Sequence, residues 1–314
     1  MNEGTPALSV VVLVAGTRER VDLLGQALAR QSIAKNLEVI FVDISETGTS
    51  APQVVAGVST RVINQSGSCD LGRARAEALR QAHAPIVAYL EDHTVPAPGW
   101  AAAVLDAFQD PAVTAAAYAF SNGSPDTWWY RSVFMVEYGT MAHPLPAETT
   151  HLMPANNVAY RRAPLLALED RLDALLEQDF FLQKALGGRC RVALAREALV
   201  AHQTNTSTWD LLRGHYEFGR IFAARRVQLE GWSLAKRFLA APLTPWIVPI
   251  LRLKRVVRGL PGRALWQDFL AALPAFALIF TTDALGEAHG YLDGEARPRS
   301  LIWLELQAER ARRA

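Results

Sequence analysis

Two cysteines, Cys69 and Cys190, are all that a chain of 314 residues contains. That excludes a disulfide framework and a cysteine-only zinc site, and fits reduced thiols in a cytosolic setting. No sign of charge predominates. Lys and Arg number 32 against 31 Asp and Glu, for a formal charge of +1. The chain therefore lacks the positive field of a protein that wraps nucleic acid. It does not lack apolar residues, which make up 50% of it, and this excludes a disordered chain. No basic segment stands before the first apolar stretch, LSVVVLVAG, and Glu3 precedes it. The stretch reads as a buried strand, not a secretory signal. No Gly-x-Gly-x-x-Gly follows it; the loop reads AGTRER, which argues against a dinucleotide-dependent oxidoreductase. No internal repeat or low-complexity tract is visible.

From Leu8 to about Pro111 strands and helices alternate. LSVVVLVA and LEVIFVDI are continuous apolar strands, Thr60 to Asn64 is a third short one, and PIVAYLEDH is the next. Val21–Gln31, Gly72–Gln81 and Trp100–Phe108 carry helical patterns between them. Such text predicts an α/β fold with a mostly parallel sheet covered on both faces. Ligands of these sheets bind beyond the carboxyl ends of the strands. Asp43 and the triplet Glu91-Asp92-His93 sit at such ends. Further on, MPANNVAYRR reads as a strand and Leu175 to Leu186 as one helix. CRVALAREALVAH reads as a strand, a turn and a second short strand ending at His202.

Several of these residues carry chemistry. Carboxylates and an imidazole at a strand end can hold a divalent cation together with a nucleotide's phosphates. Alternate residues of an extended segment point the same way, so Glu91 and His93 converge while Asp92 faces away, unless the chain turns and brings Asp92 in. Asp43 either caps the turn after its strand or accepts a hydrogen bond from a base or ribose. Arg75 is either a solvated helix residue or a contact for a diphosphate. Asp179, with Glu177 as its rival, is either a general base or a favourable charge at a helix start. His202 is a metal ligand, a phosphate contact or a structural histidine.

The last third changes character. Phe238–Leu251 and Phe269–Thr282 are apolar runs of fourteen residues, with Pro242, Pro245, Pro249 and Pro274 inside them. A spanning helix needs about 20 apolar residues. Arg252, Lys254, Arg255, Arg258 and Arg263 lie between the runs, and a hairpin would have to translocate them against the positive-inside tendency. The expectation is two segments lying in or dipping into the cytoplasmic leaflet, with the basic residues at anionic headgroups. The competing reading is two core helices of a soluble domain.

In order and spacing these segments resemble the family 2 glycosyltransferases over about Ser9 to His202. SVVVLVAGTRER is similar to the family's first strand and loop, and LEVIFVDIS to its second strand with a base-contacting Asp. CDLGRARAEAL resembles its glycine and alanine-arginine stretch, and VAYLEDHTVPAPGW its acidic metal motif followed by Gly-Trp. MPANNVAYRRAPL resembles the acceptor-side strand, and QDFFLQKALGGRCRVALAREALVAH the segment with the catalytic base and a later histidine. The sequence departs from the family's pattern at Glu91-Asp92-His93 for Asp-any-Asp, at Gln178 before Asp179, at Cys190 for a glycine and at Ile44 for a second Asp. The resemblance implies a GT-A-like mixed sheet flanked by helices over residues 1–210, and a helical membrane-associated region over 211–314. It also implies inverting transfer of a sugar from a nucleotide-sugar donor to an acceptor hydroxyl of a sugar or lipid-linked acceptor. Asp179 would be the base. Asp43, Arg75, Glu91 and Asp92 would bind the donor, and Asp92, His93 and His202 would hold Mn2+ or Mg2+. Asn156 and Asn157 would lie on the acceptor side. The rival is a non-catalytic nucleotide-sugar-binding or membrane-scaffold relative.

Overall fold

The computed structural model describes residues 5–15, 17–45, 47–66, 70–145, 157–187, 190–204, 207–260, 262 and 265–294, with Asp179 described by its backbone alone. Asn156, Arg263 and Cys69 lie outside the described residues. The chain divides into two compact units, residues 1–123 with 141–203, and 124–140 with 204–314. The segment 124–140, read from the sequence as part of the catalytic region, thus belongs with the C-terminal unit.

The first unit is built on an eight-stranded sheet. Its elements run β1 (Leu8–Val14), α1 (Arg18–Ala29), β2 (Leu37–Asp43), β3 (Ser59–Asn64), α2 (Leu71–Gln81), β4 (Ile86–Glu91), β5 (Thr94–Pro96), α3 (Trp100–Ala107) and β6 (Ala115–Asn122). After α4 (Trp128–Tyr138), which belongs to the second unit, come β7 (Val158–Arg161), α5 (Arg162–Leu166), α6 (Leu172–Leu175), α7 (Asp179–Leu186) and β8 (Val192–His202). The strand order is β3-β2-β1-β4-β7-β6-β8-β5. The four strands β3, β2, β1 and β4 are parallel, whereas β7 is antiparallel to both β4 and β6. The apolar runs of β1, β2 and β4 are buried almost throughout, as strands covered on both faces must be. One polar pair is enclosed among them. Ser9 donates its hydroxyl to Glu38, which also accepts from the His83 backbone N–H and lies 2.9 Å from His83 Nδ1. Burial pushes the Glu38 carboxyl up, but these hydrogen bonds and the His83 charge hold it below its usual range.

Two elements differ from the sequence expectation. The helix read over Leu175 to Leu186 is interrupted: α6 closes at Leu175, and α7 restarts at Asp179 after an extended Gln178. The strand, turn and strand read before His202 form a single strand. Its register with β6 jumps from Tyr118↔Ala195 to Ala119↔Leu199, so Arg196 to Ala198 form an irregularity inside β8, not a turn between strands.

The second unit comprises α4 with α8 (Thr208–Glu230), α9 (Leu234–Gly259) and α10 (Trp266–Asp293). Ser207 and Ser233 cap α8 and α9 by accepting from the backbone N–H groups of Asp210 and Lys236, and Gly231 ends α8 in the left-handed region that glycine allows. Helices α8 and α10 approach backbone to backbone. A Cβ on Gly219 would lie 2.1 Å from the Asp283 carbonyl oxygen, and one on Gly286 1.9 Å from that of Tyr216. The fourteen-residue apolar runs extend into helices of 26 and 28 residues that continue through their prolines. Both are long and apolar enough to cross a membrane by length and composition. The basic residues expected in a loop belong to α9 as far as Arg258. Arg252 does not face outward but pairs with Asp283 and Glu287 of α10. It is therefore not a headgroup contact, because two buried carboxylates hold it inside the bundle.

Candidate active site

The candidate side chains of the first unit gather where the parallel strands end. Register places Val14 beside Asp43 on one flank of β1, and Leu13 beside Glu91 on the other. Asp43 and Glu91 thus end neighbouring strands of β1 at one edge, about 10 Å apart by strand spacing. Asp92, just beyond β4, accepts a hydrogen bond from the Ala15 backbone N–H at 2.9 Å, which ties the acidic triplet to the loop leaving β1.

The pairing of β5 with β8 sets the next contact. Thr94 is opposite His202, and the Gln203 N–H donates to the His93 carbonyl, so His93 meets His202. Their Nε2 atoms lie 3.0 Å apart. Glu91 Oε2 is 3.3 Å from His202 Nε2 and 3.8 Å from His93 Nε2. One donor atom from each of Glu91, His93 and His202 falls within 4.8 Å of the others. Such a set can surround one cation. Two ligands about 2.1 Å from a first-row ion, at a right angle, are about 3.0 Å apart. The triplet also orders itself: His93 Nδ1 lies 2.9 Å from Asp92 Oδ1, which leaves Nε2 for the cluster.

The cluster differs by one carboxylate from the set Asp92, His93 and His202 read in the sequence. Glu91 stands where the sequence reading put Asp92: β4 ends at Glu91, the chain turns through Asp92 and His93, and β5 starts at Thr94, so it is this turn that brings His93 to Glu91. Asp92 holds His93 from behind. Asn157, expected on the acceptor side, is fully buried. It accepts from the Glu91 backbone N–H at 3.1 Å and donates to Glu91 Oε2 at 2.7 Å. The pairing of β4 with β7, Ala88 opposite Ala159, carries it there.

Asp43 is buried and caps the turn after β2, accepting from the Ser45 N–H and hydroxyl and from the Ala51 N–H at 2.7 Å. Arg75 is not on a solvated helix face. It is 7% exposed, and its guanidinium donates to the Leu176 carbonyl at 2.9 Å. That carbonyl belongs to the turn between α6 and α7, from which Asp179 opens α7. Glu177 lies within the same turn and is buried. Gly72 lets α2 come this close: a Cβ there would sit 2.0 Å from the Asp173 carbonyl oxygen and 2.9 Å from the Glu177 nitrogen. Sequence reasoning missed the bracing roles of Asn157 and Gly72. The spacing of NNVAYRR before a strand, with a glycine opening α2, was the signal available for them.

Solved structures resemble the chain to different degrees. The first 349 residues of TarS from S. aureus are 18% identical, with 92% of each chain covered and a TM-score of 0.49. The mannosyltransferase PcManGT from Pyrobaculum calidifontis, solved with GDP-Man and Mn2+, is 14% identical over 93% of this chain and 86% of its own, with a TM-score of 0.51. It shares the GT-A-like mixed sheet flanked by helices. No curated protein sequence matches the chain. Residues 9–168, half of the chain, match the profile of glycosyl transferase family 2, and the protein belongs to that family of glycosyltransferases.

Proposed function

We propose that the protein is an inverting glycosyltransferase that moves a sugar from a nucleotide-sugar donor to an acceptor hydroxyl at the cytoplasmic membrane face, in envelope or exopolysaccharide synthesis. The observation that carries the reading is the convergence of Glu91, His93 and His202 at the carboxyl edge of the sheet. The donor set of one carboxylate and two imidazoles fits a divalent cation, Mn2+ better than Mg2+, because imidazole suits transition ions. When bound, such an ion stabilises the charge that develops on a departing nucleoside diphosphate. PcManGT, which shares the fold, was solved with both a nucleotide sugar and Mn2+.

The chain's own residues supply the rest of the chemistry. Asp92 and Asn157 orient His93 and Glu91, so the ligands need not reorganise as the donor arrives. Asp43, buried at the end of β2 on the other flank of β1, holds the turn between Ser45 and Ala51 that would border the donor's base or ribose. Arg75, anchored on the Leu176 carbonyl, sets the turn from which Asp179 opens α7. Asp179 takes the proton of the acceptor hydroxyl as that oxygen attacks the anomeric carbon. Attack from the side opposite the leaving group inverts the centre.

A transfer assay with a panel of nucleotide sugars tests the reading. Asp179→Asn is expected to lower turnover by about 100-fold or more while donor affinity changes little. Loss with Glu177→Gln while Asp179→Asn stays active would move the base to Glu177. Donor binding without turnover in the native protein would favour the non-catalytic relative.

A further inference from the structure

Helix α9 presents an apolar surface that no described part of the chain covers. Its inward stripe is Ala241, Thr244 and Val256, all buried, with Arg252 locked to Asp283 and Glu287. Half a turn away, Leu239, Leu243, Trp246, Ile250 and Val257 follow one another at spacings of three, four or seven residues, which sets them on one face. Leu239 is 69% exposed, Trp246 77% and Ile250 67%, and Phe238 and Ile247 broaden the stripe. A helix apolar all round belongs in a core or in lipid. The charges fix where this stripe ends. Lys236 precedes it, and the exposed Lys254, Arg255 and Arg258 flank its carboxyl end.

We propose that α9 is an in-plane anchor that inserts this stripe into one leaflet of an anionic phospholipid bilayer and sets both of its basic ends at the headgroups. This rests on the reading that the enzyme works at a membrane face, and it names the surface and the lipid class. Between Arg237 and Arg252 the helix rises about 22 Å, short of the roughly 30 Å hydrocarbon core. Crossing would draw one basic end into hydrocarbon, or drag the Arg252, Asp283 and Glu287 cluster with it. Lying flat buries the stripe by several ångströms and leaves every charge in water or paired. The basic flanks select the lipid. Each Lys or Arg beside an anionic surface is worth about fivefold in partitioning, so the three at the carboxyl end give roughly a hundredfold.

The test is flotation of the full-length protein with vesicles of phosphatidylglycerol and phosphatidylcholine, and with phosphatidylcholine alone. The wild type is expected to float with the anionic vesicles, and salt is expected to weaken but not abolish this. Trp246→Glu with Ile250→Glu should release it by at least tenfold. Lys254→Gln, Arg255→Gln and Arg258→Gln together should remove the preference for anionic lipid and leave weak binding to both vesicles. These residues are exposed, so circular dichroism and the melting temperature should stay at the wild-type values. Three results would overturn the proposal: no flotation with either vesicle, a dimer in solution that dissociates on Trp246→Glu, or protection of a tag at Gly262 inside sealed vesicles. Donor-induced stabilisation, measured without lipid, reports the glycosyltransferase reading separately. Its loss would sink that reading and leave the flotation result standing.

Discussion

Asn157 has no exposed surface, and its side-chain amide is turned toward Glu91. A buried amide in this position fixes both the backbone and the carboxylate of Glu91, the proposed cation ligand. Outer partners of this kind typically cost 10- to 100-fold in metal affinity when removed. Asn157→Leu, which keeps the side chain's branching but removes its amide, is therefore expected to weaken Mn2+ binding by about 10-fold or more, read by calorimetry. Unchanged affinity would return Asn157 to the acceptor-side role read in the sequence. At this scale the sequence was informative about residue type and silent about partners. The triplet Glu91-Asp92-His93 and His202 stood out as chemistry, but the chain turns at Asp92 and His93, so strand periodicity does not govern which way they point. That Asp92 would instead brace Ala15 and His93 depends on a loop conformation that no periodicity encodes.

Among the elements, glycines decide where helices touch. Gly286 and Gly290 of α10 meet the Tyr216 and Arg220 carbonyls of α8, where an added Cβ would lie 1.9 and 2.1 Å away. Because the neighbours are backbone, no rotamer change relieves the clash. Gly286→Ala is expected to destabilise the helical unit by about 3 kcal/mol or more, at the severe end of single substitutions. Thermal melting followed by circular dichroism measures it, and a shift under about one degree would contradict the close crossing. Gly72→Ala should act differently. It pushes α2 off the turn before α7, so turnover should fall more than stability as the Arg75 contact with Leu176 is lost. Element types were legible because parallel strands read as unbroken apolar runs. The break at Leu176 to Gln178 and the irregularity in β8 were not, since both arise from packing partners far away in sequence.

At the scale of the whole molecule, charge is enclosed in both units. In the helical unit His215 is 17% exposed, 3.3 Å from Asp283 and 3.5 Å from Glu137. Burial pushes its pKa down, but the charge and hydrogen bonds of Asp283 and then Glu137 raise it from 6.5 to about 10. A value raised on folding contributes stability that is full below the unfolded pKa and is lost as pH rises through the folded one. The melting temperature should therefore fall as pH climbs from about 6.5 to 10, and His215→Gln should flatten that part of the profile. A wild-type profile as flat as the variant's would contradict the buried imidazolium. The change from alternating strands to long apolar helices was visible in the sequence. The membership of residues 124–140 in the second unit was not, because it follows from tertiary contact alone. The central claim is that Glu91, His93 and His202 hold a cation that a nucleotide sugar needs in order to bind. The most direct measurement is the melting temperature of the purified protein with UDP- and GDP-sugars, in Mn2+ and in chelator. A donor present at about 100 times its Kd should add about 2.7 kcal/mol of stability. The account predicts this stabilisation with Mn2+ only, and its loss in a protein carrying Glu91→Gln and His202→Ala. The same stabilisation in chelator, or from the double variant, would contradict it.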